Sequence, residues 1–165
     1  MRVSLAVLVL LFVPTAATLA VELSCPDVVA AVQVGSCPTE NELKFTFTGY
    51  CSDDRRMYDQ VKDMDVCASF ENYRRVKNTA LWESSDGAFD AYLSCDLSKD
   101  TIKAAKVTGI SVKQQDKLTK VVCTYDGDIA FIHRTKGRCK VEGDGDCRAH
   151  PAACKAHCDN NGDKP

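Results

Sequence analysis

The sequence predicts an α+β domain, strands mixed with helices and stapled by about five disulfides. Three observations predict it: an apolar leader, ten cysteines all downstream of it, and apolar spacing that switches between a period of two and one near 3.6. The leader opens with Met1-Arg2, runs apolar from Val3 to Val13, breaks at Pro14 and ends in Thr18-Leu19-Ala20, with small residues at its first and last positions. Cleavage is expected after Ala20, with Ala17 as second choice. Residues 1–20 then form a signal peptide and 21–165 one secreted domain. The apolar run is shorter than the ~20 residues of a spanning helix, and no later stretch approaches that length, so no membrane insertion is expected.

The elements follow in order. Leu43, Phe45 and Phe47 alternate with Lys44, Thr46 and Thr48, which predicts a half-buried strand near 43–50. Ser52 and Asp53 then resemble helix caps, and Met57, Val61, Met64 and Ala68 recur on one helical face, which predicts a helix near 53–68. Short strands near 80–83 and 88–95 flank Ser84-Ser85-Asp86-Gly87, a hairpin turn by composition. A helix near 99–108 runs from a Ser98 cap to a Gly109 stop. Strands near 118–125 and 128–140 meet at Asp126-Gly127, the preferred pair for a two-residue type I′ turn. That loop pairs Val122 with Phe131 and Cys123 with Ala130, leaves both faces apolar and places the hairpin in mid-sheet. Pro151 suits a first helical position and Asn161-Gly162 a helix end, so 151–158 is expected to be a helix with Cys154 and Cys158 on one face. The expected core includes Leu43, Phe45, Phe47, Val61, Met64, Phe89, Leu93, Val122 and Phe131.

Cys25, Cys37, Cys51, Cys67, Cys95, Cys123, Cys139, Cys147, Cys154 and Cys158 make an even set that reads as a disulfide framework outside the cell. The run from Cys147 to Cys158 also offers Cys147, His150, Cys154 and His157 at spacings zinc accepts. An oxidised thiol cannot ligate, so bridges are the preferred reading and no metal or other cofactor is expected. Glu142 to Cys147 and Asp159 to Asp163 carry carboxylates without the twelve-residue order of a calcium loop, and read as solvated turns.

Formal net charge is −2, or about −3 after loss of Arg2, which argues against a general nucleic-acid binder. No motif of the Gly-x-Ser-x-Gly kind is present. A ribonuclease reading would need His133 with Arg134, Arg138 and Glu83 or Glu71, a set joined by no spacing rule, and His133 reads better as a residue of an edge strand. The more prominent feature is Arg134, Lys136, Arg138 and Lys140, which alternate and would share one face of an extended chain. Such a ridge either guards an edge strand or contacts an acidic partner, with Arg74, Arg75 and Lys77 as possible extensions.

In its leader, mature length, ten cysteines, mixed elements and lack of an enzymatic signature, the chain resembles small secreted effectors of plant-pathogenic fungi. Within them it resembles the Leptosphaeria avirulence-suppressing (LARS) group and its relative in the tomato leaf-mould fungus. The resemblance implies an antiparallel sheet of about four strands with helices packed on it. It also implies a non-enzymatic, monomeric virulence or avirulence protein that meets a host plant protein in the apoplast or inside host cells. A protease inhibitor or killer-type toxin on an equally stapled scaffold is the alternative, with the Ser84 to Gly87 turn as a poor reactive loop, and a small secreted hydrolase such as a ribonuclease is the weaker one.

Overall fold

The computed structural model describes residues 20–53 and 64–159. Among these residues nine strands form two antiparallel sheets, where an antiparallel sheet of about four strands was expected. The larger sheet has six strands in the order β2-β3-β4-β7-β6-β5. These are β2 (Val32–Gln33), β3 (Thr79–Glu83), β4 (Asp90–Ser94), β5 (Val107–Gln115), β6 (Leu118–Tyr125) and β7 (Ala130–Thr135). The smaller sheet has the order β1-β9-β8, from β1 (Ala20–Ser24), β8 (Cys139–Val141) and β9 (Lys155–Asp159).

Only one face of the large sheet is buried. Trp82, Ala91, Leu93, Ile110, Val121, Cys123, Phe131 and Ile129 point to it, and Leu23, Ala156, Cys154 and Cys158 meet them from the small-sheet layer. Val28 and Ile102 fill the same core from a short 3-10 turn and from a six-residue helix. Alternation along β6 is strict: Thr119, Val121, Cys123 and Tyr125 are buried while Lys120 and Val122 are half-buried and Thr124 is exposed. The hairpin is therefore covered on one side and not on both, and Val122 lies outside the core.

The hairpin register explains this. Cys123 pairs with Phe131 and Val122 with Ile132, one residue away from expectation. Tyr125 N–H donates to the Ile129 carbonyl at 2.8 Å, so three residues and not two form the loop. Positive φ falls on Gly127 (70°) and Asp128 (59°), where a type I′ turn at Asp126-Gly127 would need it one position earlier. A one-residue slip exchanges the faces of a strand, which turns His133 inward.

Four helices are described: α1 (Glu40–Cys51), α2 (Met64–Cys67), α3 (Phe70–Lys77) and α4 (Lys99–Ala104). The stretch expected as a strand at 43–50 is α1. Thr39 and Glu42 close a capping box: the Thr39 hydroxyl accepts from the Glu42 N–H at 3.3 Å and the Thr39 N–H donates to the Glu42 carboxylate at 2.7 Å. Phe47 and Tyr50 then stack against Tyr73, and Phe47 also meets Phe70, with ring centroids 5.4–5.8 Å apart. Leu43 is buried, Phe47 only half-buried, and Phe45 on the opposite side is 81% exposed. Met64, expected in the core, is exposed on α2. Val61 and most of the helix expected at 53–68 lie outside the described residues, as does the leader apart from Ala20.

Two more expectations change. Residues expected to continue helix 99–108 leave it after Ala104 and begin β5, where Gly109 sits at a register shift instead of ending a helix. Residues 151–158 are not a helix: Pro151 opens a single 3-10 turn that Cys154 ends, β9 follows, and Cys154, Ala156 and Cys158 are buried at a period of two.

All ten cysteines are paired: Cys25–Cys123, Cys37–Cys95, Cys51–Cys67, Cys139–Cys158 and Cys147–Cys154. Cys25–Cys123 crosses the core between the layers, and Cys139–Cys158 joins directly opposed residues of β8 and β9. Among the described residues no helix is long and apolar enough to cross a membrane.

Side-chain hydrogen bonds hold several carboxyls ionised. The Ser84 hydroxyl, at 2.5 Å, and the Ala88 N–H keep Asp86 below its ordinary value of 3.8. The Arg74 guanidinium, bonded to both oxygens of Asp96, does the same there, helped by the Asn78 amide. A depressed folded-state value contributes stability above the unfolded value and loses it as pH falls through the folded one. Stability should therefore decline from about pH 4 downward. Urea midpoints measured between about pH 2 and 6 should show a shallower decline in Asp86→Asn, whose amide oxygen keeps both bonds without titrating.

Candidate interaction surface

Among the described residues the second face of the large sheet is left open. Tyr92 is 68% exposed on it, and Leu81, Val122 and Ile132 are half-buried among their neighbours. Cross-strand register places Leu81 beside Tyr92, Val122 beside Ile132, and Asp90 beside Ile132. Charges border these apolar side chains. Arg134 donates to both oxygens of Asp90 at 2.6 and 2.7 Å, a pair about one-third exposed.

The ridge expected from the sequence is divided between the sheets. Arg134 lies on the open face of β7, while Lys140 belongs to β8 and opposes His157 in the small sheet. The chain changes sheet at Gly137, where a Cβ would run into the Asp159 carbonyl. Lys136 is exposed at this crossing, and Arg138, with its side chain 87% exposed, reaches Asp159 at 3.5 Å. The four residues do not share one strand face. Arg74 lies on α3, bound to Glu40 and Asp96, and Lys77 covers the Tyr50 ring at 4.7 Å, so neither extends the ridge.

A different cationic row runs across the strands. Lys113 of β5 directly opposes Lys120 of β6, and Lys120 directly opposes Arg134 of β7. The row borders a shallow depression of about 460 Å³ lined by Gln115, Asp116, Lys117, Leu118, Lys120 and Arg134. Sequence spacing could not reveal it, because it exists only once β5 is a strand and the β6–β7 register is known. In the expected register Lys120 would have faced His133.

The other candidate chemistries disperse. His133 faces inward, its Nδ1 2.7 Å from the Ala88 carbonyl oxygen and its ring against Phe89. It is not at a sheet edge, since β7 lies between β4 and β6. Glu83 pairs with Asp90 on the opposite face and Glu71 is on α3, so neither of the bases expected from the sequence faces His133; the carboxylate that feels its charge is Asp86. Cys147 and Cys154 bridge each other, leaving His150 and His157 without thiolate co-ligands. Among the described residues no group of three potential ligands converges. The Ser84 to Gly87 turn is closed by Gly87 N–H to Ser84 and Ser84 N–H to Phe89, which keeps it compact.

No protein-family model matches this chain, and neither a curated protein nor a solved structure matches it.

Proposed function

We propose that the protein is a secreted, non-enzymatic effector that acts by binding a host plant component, as its resemblance to the LARS group implies. The observation that carries the binding role is the uncovered sheet face, where Tyr92, Leu81, Val122 and Ile132 offer an amphipathic patch within a charged border. Exposed aromatic side chains set among aliphatic ones on a rigid surface are the usual anchors of protein recognition. Five disulfides support an extracellular route, because such bridges persist in oxidising compartments.

Infiltration of oxidised protein into leaves of several plant genotypes tests this reading. Cell death confined to some genotypes, lost on reduction and alkylation and lost in Tyr92→Asp, is the expected result. Death in every genotype would point to a toxin instead, and unchanged death with Tyr92→Asp would remove the sheet face from the account.

A further inference from the structure

We infer that Lys113, Lys120 and Arg134 form a binding row for a linear anionic polysaccharide, a site that adjoins the apolar patch proposed above and is tested apart from it. Directly opposed like charges destabilise a sheet, yet this sheet carries two such juxtapositions in succession, Lys113 on Lys120 and Lys120 on Arg134. Edge protection accounts for Lys113, since β5 is an edge strand. It does not account for Lys120, half-buried on the interior strand β6. Among the described residues neither lysine has an acidic partner, and Arg134 has one only on its far side, in Asp90. The protein as a whole is slightly acidic, so this local concentration of positive charge is not a by-product of composition.

Geometry selects the ligand class. Neighbouring strands lie ~4.8 Å apart, so the three cations occupy a line of roughly 10 Å across a flat, open face. They do not converge on a point, as a site for a single phosphate would require. A chain bearing one carboxylate per sugar residue can set successive charges along such a line. The depression beside the row extends the track past Leu118 toward Lys117. Lys136 follows Thr135, which pairs with Thr119, and so leaves the sheet at the same end. Among the described residues Asp116, at the tip of the β5–β6 hairpin, is the one carboxylate lining that depression, and it bounds the track there.

The test uses the full oxidised protein and polygalacturonate as probe, with binding followed by calorimetry or co-sedimentation at low and high salt. Lys113→Gln with Lys120→Gln is the informative variant, because it leaves the Arg134–Asp90 pair intact. Its affinity should fall about tenfold or more and its salt dependence should flatten. Lys99→Gln with Lys103→Gln on α4 removes the same charge elsewhere and should stay within about twofold. Thermal midpoints check folding, and the first variant should melt close to the parent, since relief of like-charge opposition offsets the packing lost with the half-buried Lys120 stem. Absence of polygalacturonate binding at low salt would overturn the proposal, as would an equal loss in the α4 control. Binding to vesicles rich in anionic lipid but not to the polymer would replace it with a membrane-surface role.

Discussion

Phe131→Ala should destabilise the protein by about 3–5 kcal/mol, whereas Phe45→Ala should stay within roughly 0.5 kcal/mol. Both residues look like core from spacing alone. Phe131 is fully buried opposite Cys123 and stacks edge-on to Tyr125 at 5.8 Å, at the centre of the layer between the two sheets. Truncation there removes apolar area and leaves a void that the disulfide beside it keeps from collapsing. Phe45 stands in solvent on the far side of α1. Urea unfolding of the two variants, with the slope compared to the parent, separates these outcomes. A loss below about 1 kcal/mol at Phe131 would place the core elsewhere.

Removal of the Cys25–Cys123 bridge by the double alanine variant should cost about 4–5 kcal/mol, the larger effect among the bridges. Its half-cystines are 98 residues apart, and a closed loop of that size restricts the unfolded chain far more than a short one. Cys147–Cys154 spans 7 residues and should cost about 2–3 kcal/mol by the same reasoning. The long bridge also joins the segment after β1 to the middle of β6, so its loss frees the small-sheet layer to move away from the large one. The Tyr125 hydroxyl, which donates to the Pro26 carbonyl at 2.6 Å, is the nearest remaining tie and should be the first to loosen. Chemical denaturation of the two double variants would decide the ranking, and equal losses would count against chain entropy as the cause.

The elements misjudged from sequence share a physical reason. A spacing of four satisfies both the helical period and the strand period, so Leu43 with Phe47 and Cys154 with Cys158 fit either structure. The first pair proved helical, whereas Cys154 ends a 3-10 turn and Cys158 lies in β9. For α1 a deciding signal was present in Thr39 followed by Glu42, a capping box that outweighs the alternation of three apolar residues. For β9 the evenly spaced Cys154, Ala156 and Cys158 were the better guide than Pro151. β3, β4 and β6 were legible because turn residues bounded short runs of β-forming side chains. β1 was not, because its partner is β9, 131 to 139 residues away by register, and β9 was not, because it is paired by that distant strand on one side and by the three-residue β8 on the other. The surface proposed for binding was hidden for the same reason: its apolar patch and its cationic row depend on pairings between strands.

That distant pairing fixes an order of events. A chain emerging N-terminus first presents β1 long before β9 exists, so the small sheet can close only after nearly all of the described sequence has been made. The β5–β6–β7 meander has local partners and can form while β1 waits. Until β9 arrives, Cys25 is free to find Cys123 but Cys139 has no Cys158 to join, and the inner face of the large sheet lacks its cover. A bridge formed by Cys139 within that interval would have to take a partner other than Cys158.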